Sequence, residues 1–514
     1  MGFRLSAASL AAAVIVGLAG AAQADVVHIA QGELAGVTAN GVESFKGIPF
    51  AAPPVGELRW RPPGPPANWT GVRKADTFGS ICMQSSRGFF AGAPMSEDCL
   101  TLNVWRPAGA KPGDKLPVMV WIYGGAFIQG AASTPFYDGR HFARDGVILV
   151  TANYRLGRFG FFAHPALDGK AAPFGNYGLM DQIVALRWVK ANIDRFGGDP
   201  ANVTLFGESA GAISVNYLMA SPAAKGLFDK AIAESGFGRS EPRPLTGERS
   251  AEAVGVAFAE AHGIKGGDAA AAAALRALPA DVLNAPVSGL GDPSIPGPLL
   301  DGRIITQGLA EAFAKGDEAH VPYMEGGNSY EASLFPQVAD NPAPVIARFG
   351  DPANVTALYG GPPAPELARQ LTTDSLITEP DRFLARQMAR QGLPVYVYHF
   401  SYVPAEARPT SYGAAHGSEI TYAFDNLLDR PISFGQRTIP AATDADRQVA
   451  HAMHAYWVAF AKTSDPDSAG GPAWPRFATG HEQLIEFGAD GVNVRRDFKK
   501  DRLDLIAASR KPAP

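Results

Sequence analysis

Residues 203–211 read VTLFGESAG. The apolar and β-branched run Val203–Phe206 predicts a short buried strand, and a helical pattern follows Gly211. A serine on a tight turn between strand and helix needs small neighbours, because the strained backbone leaves no room for side-chain atoms. Such a turn lifts the Ser209 hydroxyl above the sheet edge, beside a helix N-terminus that favours negative charge. The segment therefore predicts a serine nucleophile.

Short apolar runs alternate with helical patterns along the rest of the chain. The runs predict strands at residues 26–29, 41–50, 118–123, 147–151, 203–206, 321–324 and 395–400. The helical patterns lie at residues 177–193, at 269–278 within a helical insertion at about 241–290, and at 446–462 near the end of the chain. Buried strands between helices indicate an α/β fold with a mostly parallel central sheet, helices on both faces and helical insertions. We find no repeat and no linker, so residues 25–514 are expected to form one domain.

Charge and hydropathy limit the partners and the compartment. The 514 residues carry a formal net charge of -5 without a stripe of Lys or Arg, so no nucleic-acid partner is expected. Arg4 precedes the apolar run Leu5–Ala21, and Ala22-Gln23-Ala24 resembles a cleavage site. This pattern predicts a signal peptide at residues 1–24 and export to the periplasm or the medium, with a membrane anchor as the alternative. No later segment has the ~20 apolar residues that span a bilayer, so no membrane contact is expected after cleavage.

The chain has two cysteines, Cys82 and Cys99. In an exported protein, a lone pair at this spacing predicts one local disulfide. Two reduced, buried thiols are the alternative if the chain is not exported. A zinc site would need further Cys or His ligands that are not near in sequence, so no metal is expected.

A serine nucleophile needs hydrogen-bond donors for the oxyanion that forms during acyl transfer. One donor is expected at the backbone N–H of Ala210, the residue after the nucleophile. A second source is expected in a glycine-rich loop after an earlier strand, where residues 124–127 read GGAF. An ordinary tight turn is the alternative for this loop.

The general base is expected to be a downstream histidine, and the orienting acid should precede it in the chain. The candidates for the base are His399, His416, His451, His454 and His481. His416 is favoured because it lies in a loop of small residues. His399 falls in a predicted strand. His451 and His454 share a helix, where a solvated face is expected rather than a metal site, because no third ligand is evident.

The orienting acid is a carboxylate near the end of a later strand. Glu331 follows the strand at 321–324 across the link Gly326–Asn328, which places it on a loop at a strand end. Asp374 is the alternative. From these local patterns alone, either carboxylate can serve.

Motifs along nearly the whole mature chain resemble the type B carboxylesterase family, which includes cholinesterases and bacterial carboxylesterases. The motifs are FKGIPFA at 45–51, SEDCL at 96–100, GNYGL at 175–179 with DQ at 181–182, FGGDP at 196–200 and the segment around Ser209. The resemblance implies an α/β-hydrolase fold and hydrolysis of small-molecule carboxylic esters without a cofactor.

The resemblance also implies roles for individual residues. It makes Ser209 the nucleophile, Glu331 rather than Asp374 the acid, and His416 the base. It places the oxyanion donors at Gly125, Ala126 and Ala210, hydrogen-bonding support behind the site at Glu208, Ser235 and Glu419, and a disulfide between Cys82 and Cys99.

One departure separates the chain from cholinesterases. Their first disulfide loop carries a tryptophan that binds a quaternary ammonium, whereas residues 83–98 contain Phe89 and Phe90 but no Trp. Because cation–π binding is strongest on Trp, choline esters are expected to be poor substrates. A catalytically silent binding protein on the same fold is an alternative function, and lactonase, amidase or thioesterase activity would use the same residues.

Overall fold

A computed structural model describes residues 22–84, 93–168, 175–285, 295–434, 437–439 and 441–510. The strands in these ranges are β1 (Ala22–Ile29), β2 (Gly32–Ala39), β3 (Val42–Pro49), β4 (Val72–Lys74), β5 (Ile81–Cys82), β6 (Met95–Ser96), β7 (Thr101–Pro107), β8 (Leu116–Ile122), β9 (Ile148–Ala152), β10 (Gly198–Glu208), β11 (Lys230–Glu234), β12 (Arg243–Pro244), β13 (Leu299–Leu300), β14 (Tyr323–Asn328), β15 (Val395–Phe400), β16 (Ile432–Phe434), β17 (Arg437–Ile439), β18 (Gln483–Gly488) and β19 (Gly491–Arg496).

Thirteen of these strands form one sheet, in the order β1-β2-β3-β7-β9-β8-β10-β11-β14-β15-β18-β19, with β4 beside β2. From β9 to β18 every neighbouring pair is parallel. The outer strands of that order pair antiparallel, and β4 pairs parallel with β2. The central strands read as continuous apolar runs because both of their faces are covered. The predicted α/β fold with a mostly parallel sheet is confirmed.

The helices are α1 (Arg140–Arg144), α2 (Gly157–Gly160), α3 (Tyr177–Asn192), α4 (Ala210–Ala220), α5 (Ala251–Ala261), α6 (Ala269–Arg276), α7 (Ala280–Leu283), α8 (Leu309–Lys315), α9 (Pro342–Ala347), α10 (Pro352–Leu358), α11 (Ala364–Thr373), α12 (Glu379–Arg390), α13 (Ile420–Ala423), α14 (Asp444–Thr463) and α15 (Lys500–Ala508). The predicted helical insertion contains α5 to α7. Helix α14 begins two residues before its predicted start, because Thr443 and Asp446 form a reciprocal capping box.

Parallel strands bring the segments that follow them to one edge of the sheet. The ends of β8, β10, β11, β14 and β15 lead respectively to residues 124–127, Ser209, Ser235, Glu331 and the loop that carries His416. In folds of this class, ligands bind at this carboxyl edge. The fold thus gathers residues that are far apart in sequence into one candidate site.

The structure corrects one detail of the predicted connection to Glu331. Gly326, Gly327 and Asn328 are not a link after a strand but the last three residues of β14, paired with Tyr398, His399 and Phe400. Glycines weaken the sequence signal of a strand, although they are tolerated where another backbone approaches closely. At Gly326 a Cβ would lie 2.2 Å from the carbonyl oxygen of Tyr398, so no side chain fits there.

Cys82, the last residue of β5, and Cys99, which lies beyond the end of β6, are joined in a disulfide. The predicted pairing is therefore confirmed. The segment with Phe89 and Phe90, residues 85–92, lies outside the described residues, as does the predicted signal peptide up to residue 21. Residues 22–24 of that predicted peptide belong to β1. Within the described ranges, no helix has the length and apolarity to span a membrane.

Candidate active site

Ser209 lies on the predicted turn between β10 and α4. Its backbone has φ 56° and ψ -122°, a conformation that is uncommon for a residue with a side chain. The turn passes so close to β8 that a Cβ on Gly211 would lie 2.0 Å from the carbonyl oxygen of Ile122. The Ser209 N–H donates to the carbonyl oxygen of Glu234 at 2.9 Å, which fixes the turn to β11. The strand, turn and helix expected around the serine are all present.

Glu331 and His416 are in direct polar contact at this edge. Oε2 of Glu331 lies 2.5 Å from Nδ1 of His416. The carboxylate is fully buried, and its Oε1 accepts hydrogen bonds from the Ser235 hydroxyl at 2.5 Å and from the Asn328 N–H at 2.7 Å. A carboxylate held in this way fixes the orientation of the imidazole. Ser235 therefore supports the site through a hydrogen bond to the acid, Glu331, itself.

The segments that carry Glu331 and His416 are bound to each other. The Tyr330 N–H donates to the carbonyl oxygen of Ala414 at 2.8 Å, and the Ala414 N–H donates to the Ser329 hydroxyl at 2.8 Å. The His416 N–H donates to the hydroxyl of Ser333 at 2.9 Å. Together these bonds fasten the loop after β15 across the end of β14. We call residues 328–333 and 412–417, joined in this way, the acid–base unit.

The glycine-rich loop after β8 faces the serine. A Cβ on Gly124 would lie 2.9 Å from Cβ of Ser209, so the loop backbone approaches the nucleophile closely. Gly125 and Ala126 have φ of 108° and 55°, and their N–H groups donate to no atom in the described part of the chain. Ala210 opens α4, so its N–H has no partner within the helix. Three backbone donors are thus available beside Ser209.

Buried carboxyl groups surround His416 and set its charge. Nε2 of His416 lies 3.1 Å from Oε1 of Glu208. Burial lowers the pKa of His416, but the carboxylates of Glu208 and Glu331 outweigh it and raise that pKa above its ordinary value. Burial also raises the pKa of Glu208 to about 7, and it raises that of Glu419, which accepts a hydrogen bond from Asn328, well above its usual range. Each carboxyl that becomes neutral removes a negative charge near His416, which brings the imidazole closer to the range of a working base.

Three other sequence candidates lie away from this arrangement. Asp374 is fully buried, and its carboxylate pairs with Arg502 at 2.7 Å and Lys499 at 3.1 Å. These cations hold its pKa below the ordinary value against the effect of burial, so Asp374 serves the packing of the C-terminal helix. His399 is buried within β15, and His481 is exposed beside β18.

The two helix histidines differ from each other. His451 is exposed on α14, as expected for a solvated face, with Nδ1 3.6 Å from Asp425. The expectation is wrong for His454, which is buried with Nδ1 2.8 Å from the carbonyl oxygen of Ala423 and Nε2 3.1 Å from Asp145. Residues three apart are neighbours on a helix, so His451 lies at the edge of the buried face of α14 and His454 lies within it. The described ranges contain no group of three His, Cys, Asp or Glu that could hold a metal ion.

Phe237 is a residue of the site that the sequence reasoning missed. Its ring centroid lies 6.1 Å from that of His416, with an angle of 70° between the ring planes. It follows Ser235 in a turn whose backbone has positive φ at both residues. The flanking Gly236 and Gly238 signal a turn, but no sequence pattern shows where the side chain between them points.

A serine on such a turn, at the carboxyl edge of a parallel sheet and with a histidine later in the chain, is the arrangement of α/β-hydrolases, and this chain has that fold. Comparison with protein families narrows the class further. Residues 23–353 and 365–506 match the carboxylesterase family, and the chain belongs to that family.

Individual relatives agree with the family. Over 496 residues the chain is 38% identical to fumonisin B1 esterase of Sphingopyxis macrogoltabida, covering 91% of this chain and 88% of that protein. It is 37% identical over 484 residues to para-nitrobenzyl esterase of Bacillus subtilis (strain 168), covering 90% and 94%. A solved carboxylesterase of Geobacillus stearothermophilus superposes with a TM-score of 0.80 at 35% identity, covering 93% and 99%. The protein is accordingly a hydrolase of the carboxylesterase type rather than a silent binding protein.

Proposed function

We propose that the chain is an exported serine carboxylesterase that works through an acyl-enzyme on Ser209. The observation that carries the mechanism is the 2.5 Å contact between Nδ1 of His416 and the buried carboxylate of Glu331. With Nδ1 donating to Glu331, the neutral imidazole leaves Nε2 unprotonated, and that nitrogen is the one that accepts a proton as general base.

In the first half of the reaction, Oγ of Ser209 attacks the ester carbonyl carbon while Nε2 of His416 takes the hydroxyl proton. The carbonyl oxygen becomes an oxyanion that accepts hydrogen bonds from the N–H groups of Gly125, Ala126 and Ala210. One such donor lowers the barrier by ~3 kcal/mol. The proton on His416 then passes to the leaving alcohol, and the acyl group remains on Ser209.

The second half releases the acid. A water molecule gives a proton to Nε2 of His416 and attacks the acyl carbon from the side that the alcohol left. Collapse of the second tetrahedral intermediate returns the proton to Ser209 and frees the carboxylic acid. Throughout, Glu331 holds the imidazole and stabilises its charged form. None of these steps uses a cofactor.

The substrates we propose are small-molecule carboxylic esters. The names of two relatives, fumonisin B1 esterase and para-nitrobenzyl esterase, support this class. Export is supported by the pattern from Arg4 to Ala24 and by the Cys82–Cys99 disulfide, a bond that is typical of oxidising compartments.

The test replaces the nucleophile. Ser209→Ala should reduce kcat for para-nitrophenyl acetate by about 10⁶-fold, since loss of a triad nucleophile has an effect of this size. A fluorophosphonate should label the wild-type chain at Ser209, as shown by peptide mapping. Ser221→Ala, at the other end of α4, is the matched control and should keep full activity. An adduct on another serine, or an active Ser209→Ala enzyme, would contradict the proposal.

A further inference from the structure

We propose that Phe237 limits the length of the acyl group that the enzyme accepts, an inference that rests on the proposed function. Phe237 lies after β11 and its side chain is partly exposed, although its ring stands beside the imidazole of His416. An aromatic ring that borders the proposed base without being buried in the core faces the space where substrate binds.

The order of the strands places Phe237 on one particular side of the nucleophile. Strands β8, β10 and β11 are neighbours, and their carboxyl ends lead to the glycine-rich loop, to Ser209 and to Phe237. The N–H groups of Gly125 and Ala126 therefore lie on one side of Ser209. Phe237 lies on the other.

The geometry of an acyl-enzyme decides which part of the substrate the ring meets. The carbonyl carbon is trigonal, so the carbonyl oxygen, the acyl chain and Oγ of Ser209 point in three different directions within one plane. When the oxygen points to the N–H groups of Gly125 and Ala126, the chain points away from them, toward the turn after β11. The alcohol leaves from the face of that plane that His416 covers. Phe237 therefore meets the acyl chain.

The backbone of this turn is held in a conformation that its sequence does not favour. Phe237 has φ 46°, which is rare for a bulky side chain. Such strain persists where the surroundings over-determine it, and it is concentrated at functional sites. Here Arg239 forms a two-bond ion pair with Glu379 on α12, at 2.7 and 3.0 Å. A Cβ on Gly238 would lie 2.7 Å from Leu384, so the turn is pressed against the same helix.

The experiment compares acyl and alcohol series. Phe237→Ala should raise the ratio of kcat/KM for para-nitrophenyl octanoate over para-nitrophenyl acetate by about tenfold or more, because a pocket that gains room for methylenes changes specificity on this scale. The ratio for n-butyl acetate over ethyl acetate should stay unchanged, since the alcohol lies elsewhere.

Two further variants separate the effect of the Phe237 ring from the effect of the strained backbone. Phe237→Gly removes both, so it should show the same acyl shift together with a higher melting temperature. Lys115→Gly is the matched control, because Lys115 is exposed, has φ 53° and precedes β8 at the end of that strand opposite the site. It should raise the melting temperature without altering the acyl ratio.

The outcomes are distinct from those of the Ser209 test. Titration of active sites with a fluorophosphonate normalises every rate to the folded, reactive enzyme. An unchanged acyl ratio in both Phe237 variants with normal titration, or a shift in the alcohol ratio instead, overturns the role of Phe237 alone. Activity that survives Ser209→Ala overturns the proposed function.

Discussion

Ser235 and Asn328 donate to one oxygen of Glu331 and leave the other for His416. Glu331 can therefore hold the imidazole of His416 in one orientation only. Removing its charge while keeping its shape should favour the wrong tautomer of His416. This gives a direct test of which carboxylate is the acid.

We predict that Glu331→Gln lowers kcat for para-nitrophenyl acetate by about 10⁴-fold, the effect expected when an orienting carboxylate becomes an amide. Asp374→Asn is the comparison, because Asp374 is equally buried but pairs with Lys499 and Arg502. Its kcat should remain close to that of the wild type at temperatures where the variant is folded. A collapse of activity in Asp374→Asn alone would reassign the acid.

A second residue-scale prediction concerns pH. The carboxylate of Glu208 raises the pKa of His416, so Glu208→Gln should lower that pKa. Catalysis needs neutral His416, and a lower pKa keeps the imidazole neutral to lower pH. The acid limb of the kcat/KM profile should therefore move to lower pH by ~1 unit, the size typical of one nearby charge. An unmoved limb, or a move to higher pH, would contradict this electrostatic role.

Some of these residues could be predicted from the sequence and some could not. Ser209 could, because its turn requires small residues at fixed positions on either side. Phe237 could not be predicted, since a single sequence does not show the sign of φ or the direction of a side chain. The acid could be predicted in part. Local pattern left Glu331 and Asp374 open, and only the fold shows that cations already neutralise Asp374.

At the scale of elements, one buried ion pair ties a loop after β9 to helix α3. The Arg155 guanidinium donates to both carboxylate oxygens of Asp181, at 2.8 and 2.7 Å, and both side chains are almost fully buried. Arg155 also stacks over the ring of Tyr177 at 5.2 Å. Burial makes each charge dependent on its partner.

We predict that Asp181→Asn lowers the free energy of unfolding by about 3–5 kcal/mol, because it leaves the Arg155 charge buried without a counter-ion. Equilibrium unfolding in urea measures the change. Glu311→Gln is the control, since Glu311 pairs with Lys315 on the exposed surface of α8 and its loss should hardly alter stability. Equal losses in the two variants would show that burial is not the cause.

Elements with a continuous apolar run were predicted well, as β8, β9 and β15 show. Elements with a mixed composition were not. Strand β2 reads GELAGVTA, and its glycines, alanines and charge hide a strand that pairing with β1 and β3 stabilises. Strand β11 reads KAIAE, which resembles part of a helix, yet it lies between β10 and β14. In both segments, tertiary contacts rather than local sequence determine that a strand forms.

At the scale of the whole molecule, export and the disulfide can be tested together. We predict that protein recovered from the medium or the periplasm begins at Asp25 and carries the Cys82–Cys99 bond. Intact mass spectrometry with and without reductant should show the loss of residues 1–24 and a gain of two hydrogen atoms on reduction. A mass that retains the N-terminal segment, or free thiols before reduction, would count against export.

The acid–base unit described above also has a consequence for how the site fails on heating. Backbone and hydroxyl hydrogen bonds join the segment of Glu331 to the segment of His416, so the two side chains move together. Ser209 lies outside this unit, and its N–H is anchored to Glu234 of β11, which reaches the unit through the next residue, Ser235, and its bonds to Gly326 and Glu331. Thermal opening of the edge should therefore widen the gap between Ser209 and an intact Glu331–His416 pair. Early inactivation would then be a loss of alignment between Ser209 and the acid–base unit, and cooling would restore it.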